Sequence, residues 1–257
     1  MLLVLDVGNT QIVAGVFKND LLGAHCRLHT EPRLTEDEFQ MHMSHFFRQQ
    51  GIAMSEISQT VISCVVPPMM RTLDAFCRKY LLHAPDWIGP GIVDMPIRYR
   101  NPGEVGADRL VNAVAAYARY SGSLIVIDFG TATTFDCISE QGEYIGGAIA
   151  PGIGISAEAL FQRASKLPRV ELFAPPDRVI GKETAESMKS GLLYGYAELV
   201  DGMVRRIKKE MHPEPKVIAT GGLASLFAGI SVSIEAVEPE LTLEGLKIIS
   251  KKFNAGA

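Results

Sequence analysis

The chain has 257 residues, 47% of them hydrophobic and 21% charged, with a formal net charge of -4. These totals describe a globular protein able to bury a core, as one large domain or two of ordinary size. The interspersed charges exclude the strong positive excess of a nucleic-acid binder, and no apolar run reaches the roughly 18 to 20 residues of a membrane span.

The opening MLLVLDVGNT has no basic segment and an acid already at Asp6, which argues against a secretory leader. Four scattered cysteines (Cys26, Cys64, Cys77 and Cys137) form no C-x-x-C pair and fit buried thiols in a cytoplasmic protein. Residues 1 to 30 predict an antiparallel meander: the apolar run MLLVLDV, a turn at GNTQ, then IVAGVF and LLGAHCRL. A helix follows from Thr35, its N-cap, with Glu38 completing a capping box and Phe39, His42, Met43 and Phe46 on one face. His42 and His45 have no cysteine nearby and read as a partly exposed helix face rather than a metal site.

TVISCVV (60–66) is a buried strand stopped by Pro67 and Pro68, followed by a helix to about Leu82. The Gly- and Pro-rich segment 89–106 is a loop or lid, and a helix begins near Asp108. SLIVIDF, ATTFDCIS and YIGGAIA form a second strand series. Helices dominate from Gly154 to Met211, broken between Pro168 and Gly181; then come the strand KVIATGG, a short strand near Val232 and a helix from about Leu241. Leu192, Leu193, Tyr196, Leu199 and Val200 give the stretch 182–211 an apolar face, open either to this chain's own core or to a second copy.

One pattern organises these elements. An apolar strand ending in Asp-x-Gly, with a threonine after it and a second strand leaving at once, occurs around Asp6 and again around Asp128, about half a chain apart. Self-similarity at that spacing predicts two similar lobes, residues 1–118 and 119–257, with a ligand expected in the cleft between them. Gly8 and Gly130 let backbone N–H groups approach a phosphate, and Asn9, Thr10, Thr131 and Thr133 add neutral donors. Asp6 would repel phosphate and instead suits Mg²⁺, held through water. A single such turn is ordinary Asp-Gly chemistry; its repetition favours phosphate binding. Strand, Thr220-Gly221-Gly222 and helix offer a flat surface for a nucleoside or simply a tight turn, and the position after both hairpins tilts the reading to the nucleoside. Gly181-Lys182-Glu183-Thr184 lacks the P-loop's hydroxyl and upstream glycine. Gly152-x-Gly154-x-x-Ala157 with Glu171 follows a meander and Pro151, not the opening strand of a dinucleotide fold.

Asp6-Val-Gly-Asn-Thr10, Gly106-Ala-Asp-Arg109, Asp128-Phe-Gly-Thr-Ala-Thr-Thr134, Gly146-Gly-x-Ile-x-Pro-Gly152 and Thr220-Gly-Gly222 resemble, in order, the motifs of type III pantothenate kinases, from residue 1 to about 250. The resemblance implies an α/β fold of two duplicated actin/Hsp70-like (ribonuclease H-like) lobes, each a mixed β-sheet flanked by helices. It implies an enzyme that transfers the γ-phosphate of ATP to the primary alcohol of pantothenate, with Mg²⁺ and a monovalent cation (K⁺ or NH₄⁺), as a homodimer. By position, Asp6, Val7, Gly8, Asn9, Thr10, Gln11, Ile12 and Val13 resemble the first phosphate loop, and Thr131 an ATP contact. Asp108 resembles the general base and, with Gly106, Ala107, Arg109, Tyr99 and Thr184, the pantothenate contacts; Asp128 resembles the monovalent-cation ligand. Asp108 also suits a helix N-cap, a role compatible with catalysis, and the family pattern decides for the base. A nucleotide-dependent regulator would not need the Asp108-Arg109 pair, and a zinc-bearing sugar kinase would need clustered cysteines.

Overall fold

Two five-stranded sheets of the same order account for the repeat. The computed structural model describes residues 1–89 and 91–254. Pro90, in the loop expected over 89–106, and residues 255–257, at the end of the expected second lobe, lie outside the described residues. The first sheet contains β1 (Leu2–Val7), β2 (Gln11–Lys18), β3 (Leu21–His29), β4 (Gln59–Cys64) and β5 (Asp86–Trp87), in the order β3-β2-β1-β4-β5. The second contains β6 (Leu124–Phe129), β7 (Ala132–Ile138), β8 (Tyr144–Pro151), β9 (Lys216–Thr220) and β10 (Ala236–Val237), in the order β10-β9-β6-β7-β8. In each, a central strand pairs antiparallel with the strand that follows it and parallel with the fourth. Mixed five-stranded sheets flanked by helices, repeated in this way, are the duplicated actin/Hsp70-like architecture.

Backbone contacts divide the chain into two compact units. The first comprises Met1–Met95, Tyr99–Ala115 and the described tail from Glu240; the second comprises Pro96–Arg98 and Ala116–Pro239. The helix near the C-terminus, assigned by sequence position to the second lobe, therefore belongs with the first sheet.

In the first unit β1 alternates between two covered faces. Leu3, Leu5 and Val7 join Phe39 and Met43 of α1 (Glu36–Gln49) and Met69 and Leu73 of α2 (Pro67–Phe76). Thr35 caps α1 through the expected box: Glu38 N donates to Thr35 Oγ1 (3.3 Å) and Thr35 N to Glu38 Oε2 (2.9 Å). His42 and His45 are exposed on that helix, and among the described residues no cluster of metal-ligating side chains forms. On the opposite face of the sheet, α7 (Leu241–Asn254) lays Leu243 against Gly15 and crosses α3 (Ala107–Tyr120) at Gly245. There a Cβ would stand 2.3 Å from the Val111 carbonyl oxygen, so the two backbones touch.

The second unit packs Ile125, Ile127 and Phe129 of β6 against Leu193, Tyr196 and Val200 of α5 (Thr184–Ile207) and Phe227 of α6 (Ala224–Ala228). The Phe129 and Phe227 rings stack with centroids 4.7 Å apart. The apolar stripe of α5 thus faces its own sheet through these three residues, while Leu192 is half-buried and Leu199 exposed. The strand expected near Val232 instead forms at Ala236–Val237. Residues 231–233 wrap the Asp201 carboxylate, which accepts from Ser231 Oγ (2.6 Å), Val232 N (3.1 Å) and Ser233 N (3.1 Å). No helix is long and apolar enough to cross a membrane among the described residues.

The α3–α7 crossing sets a stability test. Gly245→Ala should lower stability by about 1–3 kcal/mol through overpacking, read as a fall in the urea midpoint. Gly191→Ala, in α5 with nothing within 4 Å of the added Cβ, should raise it by about 0.5–1 kcal/mol.

Candidate active site

Both repeated hairpins carry, one residue before the end of their central strand, an aspartate flanked by a residue on each neighbouring strand. Asp6 stands between Val13 of β2 and Ser63 of β4; Asp128 stands between Thr134 of β7 and Thr220 of β9. The first tip spans Gly8, Asn9 and Thr10 and is closed by Gly8 N donating to Gln11 O at 3.0 Å. The end of β3 holds it: Thr30 Oγ1 donates to Gly8 O (2.6 Å), Thr30 N donates to Thr10 O (3.0 Å), and His29 Nδ1 lies 3.1 Å from Thr10 O. Asn9, Thr10 and Gln11 are exposed, whereas the Val7 and Ile12 side chains are fully buried and leave only backbone to offer a ligand.

The second tip is one residue shorter, only Gly130 and Thr131, closed by Gly130 N donating to Ala132 O at 3.1 Å. Its threonine therefore follows the glycine directly, where the first tip places Asn9 between them. Thr131 is exposed. Thr133, expected as a phosphate donor, is buried and engaged by Tyr196: the Tyr196 hydroxyl lies 2.7 Å from both Thr133 Oγ1 and Pro151 O. A phenol has one proton, so Tyr196 donates to the carbonyl and accepts from Thr133. Burial pushes the Tyr196 hydroxyl pKa up and keeps it neutral. Gly152, the N-cap of α4 (Ile153–Arg163), closes the same tip from the other side, its N–H donating to Thr131 O at 3.1 Å. A Cβ there would lie 2.3 Å from that oxygen, so only glycine lets the helix start against the hairpin.

Gly221 has φ +91°, and a Cβ on it would stand 2.5 Å from Asp128 Oδ1. The turn after β9 thus rests against the Asp128 carboxylate. Beyond it, Ile153, Gly154, Ala157, Phe173 and Leu223 line a cavity of about 340 Å³, edged by the Arg169–Glu158 ion pair at 2.8 Å.

Asp108 is the second residue of α3, not its N-cap, because the helix begins at Ala107. Its Oδ1 accepts from Arg109 N at 2.8 Å and lies over Gly106, where a Cβ would come within 2.5 Å of it. Burial pushes the Asp108 carboxyl above the ordinary aspartate range, against the opposing pull of Arg109. Arg109 itself is only 7% exposed.

A family model described as type III pantothenate kinase matches residues 2–206. The chain belongs to the type III pantothenate kinase family. A type III pantothenate kinase of Desulfatibacillum aliphaticivorans is 61% identical over 250 residues, covering 97% of each chain. Among solved structures, a putative Baf family transcriptional activator from Campylobacter jejuni covers 98% of this chain and 99% of its own, with TM-score 0.61 and 20% identity. An activator of 2-hydroxyisocaproyl-CoA dehydratase from Clostridium difficile, with bound ADPNP, covers 99% and 96%, with TM-score 0.58 and 12% identity. The last two likenesses are of fold alone.

Of the family-pattern residues, the first unit holds Asp6 to Val13, Tyr99 and Gly106 to Arg109. Tyr99 is half-buried, directly after the 96–98 segment that the second unit anchors by Arg98 N donating to Tyr144 O at 2.8 Å. The second unit holds Asp128, Thr131 and Thr184, the last exposed at the start of α5 rather than at either hairpin. Residues outside the sequence reading also shape these tips: Thr30 and His29 on the first, Tyr196 on the second, and Ser63 beside Asp6. Tyr196 was visible only as part of an apolar stripe, where a tyrosine at helical spacing reads as core.

Gly221→Ala would both strain a left-handed backbone and displace the Asp128 carboxylate. Turnover of ATP should fall about 100-fold, the scale of an ångström-sized misplacement in a site, while circular dichroism stays unchanged.

Proposed function

We propose that the chain transfers the γ-phosphoryl group of ATP to the primary hydroxyl of pantothenate, forming 4′-phosphopantothenate on the route to coenzyme A. Family membership and the first turn of α3 support this reading. The observation that carries it is Asp108: a carboxylate fixed by a backbone N–H and by Gly106, raised by burial, beside a nearly buried guanidinium. An alcohol is a weak nucleophile at neutral pH. As its oxygen bonds to phosphorus and the bond to ADP breaks, its proton passes to Asp108. Arg109, little hydrated and forked, suits the carboxylate of pantothenate, and Tyr99, Gly106, Ala107 and Thr184 complete the substrate contacts.

The nucleotide phosphates take the backbone and side-chain donors of Gly8, Asn9, Thr10 and Gln11 and the Thr131 hydroxyl, with Val7, Ile12 and Val13 contributing backbone. The base lies in the cavity beside Leu223. A single carboxylate with hydroxyl and amide neighbours fits Mg²⁺ held mostly by water and phosphate oxygens; Asp6 takes that water, and the ion neutralises charge on the transferring group when bound. Asp128, lying against the Gly221 turn, takes the monovalent cation. Exposed Ile149 on the second unit is consistent with a homodimer.

The test is ADP production by the purified protein with Mg-ATP, with and without pantothenate and potassium. Turnover should require pantothenate and rise with potassium; nucleotide binding without pantothenate-dependent turnover would overturn the assignment in favour of a nucleotide switch. Asp108→Asn should lower kcat by about 10²–10⁴, the usual worth of a general base. The pH profile fixes the sign. A base with a raised pKa is protonated, hence inactive, at pH values where an ordinary aspartate is already ionised. The acid limb of kcat/KM should therefore lie above the usual aspartate range and vanish in the variant. A carboxyl whose pKa rises on folding stabilises below its unfolded pKa and loses that contribution as pH climbs through the folded one. Asp108→Asn should thus not lower the melting temperature at pH 7.

A further inference from the structure

The two sheets differ at one matched position. Ser63 and Thr220 occupy the same place in the repeat, each the parallel-strand partner of the hairpin aspartate. In the second sheet, Thr220 Oγ1 donates to Glu238 O at 2.7 Å. The corresponding residue in the first sheet is Ile88: its N–H donates to Ile62 O at 2.9 Å, as that of Glu238 donates to Ala219 O at 2.8 Å. Ser63 does not repeat the bond. Its hydroxyl is fully buried and has no hydrogen-bond partner among the described residues. Other polar groups of β4 are engaged: Thr60 Oγ1 lies 2.9 Å from His83 Nε2, Gln59 donates to Asp86 Oδ2 at 2.8 Å, and Cys64 Sγ lies 3.3 Å from Val66 O. The free hydroxyl is specific to the position beside Asp6.

A buried donor without a partner destabilises a fold and in native proteins commonly marks a functional group. Neighbouring strands lie about 4.8 Å apart, and residues in register share a face. The Ser63 and Asp6 side chains are therefore neighbours on one face of the sheet.

We propose that Ser63 is a positioning residue for Asp6: on arrival of the Mg²⁺–nucleotide, its hydroxyl donates to the Asp6 carboxylate and fixes the orientation that holds the metal's water. The inference rests on the reading of Asp6 as the residue that binds Mg²⁺ through water. Thr220, the matched residue with its bond already made inside the protein, is excluded from the same role toward Asp128.

Calorimetric titration with β,γ-imido-ATP, in Mg²⁺ and in EDTA, tests this without turnover. In wild type Mg²⁺ should strengthen binding. Ser63→Ala should reduce that gain about tenfold, the worth of one hydrogen bond to a charged group, and leave the affinity in EDTA unchanged. Ser63→Thr, the residue of the matched position, should restore the gain. The melting temperature of Ser63→Ala without nucleotide should equal or exceed that of wild type, since no bond is lost. Asp6→Asn separates the two levels. If it abolishes the gain while Ser63→Ala keeps it, the role of Ser63 is wrong and that of Asp6 stands. If neither variant changes the gain, the reading of Asp6 fails and this inference with it. A clear drop in the melting temperature of Ser63→Ala would also overturn the proposal, by showing a structural bond.

Discussion

A strand paired on both sides has no backbone donor or acceptor left for a ligand until it stops. That constraint decides where chemistry can occur here. β1 and β6 are each bonded to an antiparallel strand on one side and a parallel strand on the other. Asp6 and Asp128 come one residue before the end of these strands, where the ladder still dictates the direction of the side chain. The tips beyond them are held from elsewhere, the first by the Thr30 hydroxyl and the second by the Gly152 backbone N–H. In each unit the contacts around the tip, the Thr30 bonds in the first and the Gly152 and Gly221 approaches in the second, keep that strand end in place.

What the sequence made legible follows from the same constraint. Apolar runs closed by Asp-x-Gly are local signals, so both hairpins and the capping box at Thr35 could be read directly. The placement of α7 could not. Its apolar residues are compatible with either sheet, and it is the packing of Leu243 on Gly15 and of Gly245 on Val111 that assigns it to the first. The strand expected near Val232 failed for a comparable reason: a carboxylate thirty-odd residues upstream draws the 231–233 backbone into a turn around itself, and no local pattern announces a partner that distant.

The roles of hydroxyls were the least legible. Thr131 and Thr133 look alike in the motif, yet one is exposed and the other is tied to Tyr196. Thr131 sits in the tip and Thr133 in the strand that leaves it, and what lies over each is a tertiary matter. Asp108 shows the opposite case. Its helix-start position is evident from sequence, and the structure moves it by two positions, from cap to the second residue of the first turn. The shift matters chemically. A capping carboxylate is pulled down by the backbone N–H groups it accepts from; at Asp108 burial outweighs that pull, which includes the short bond from Arg109 N, and raises its pKa.

Duplicated lobes begin with equivalent residues and are free to diverge wherever one copy's chemistry is no longer needed in the other. The match between Ile88 and Glu238 shows how closely the backbones still agree, down to the same inter-strand bond. Against that agreement, the side-chain difference at Ser63 and Thr220 is not drift in geometry. One copy closes its hydroxyl onto the main chain and gains rigidity beneath Asp128. The other leaves a buried donor open beside Asp6, at a cost in stability that an apolar residue would remove. A structural bond kept in one lobe and forgone in its twin leaves the hydroxyl beside Asp128 committed to the main chain and the hydroxyl beside Asp6 uncommitted, a difference that the shared backbone does not require.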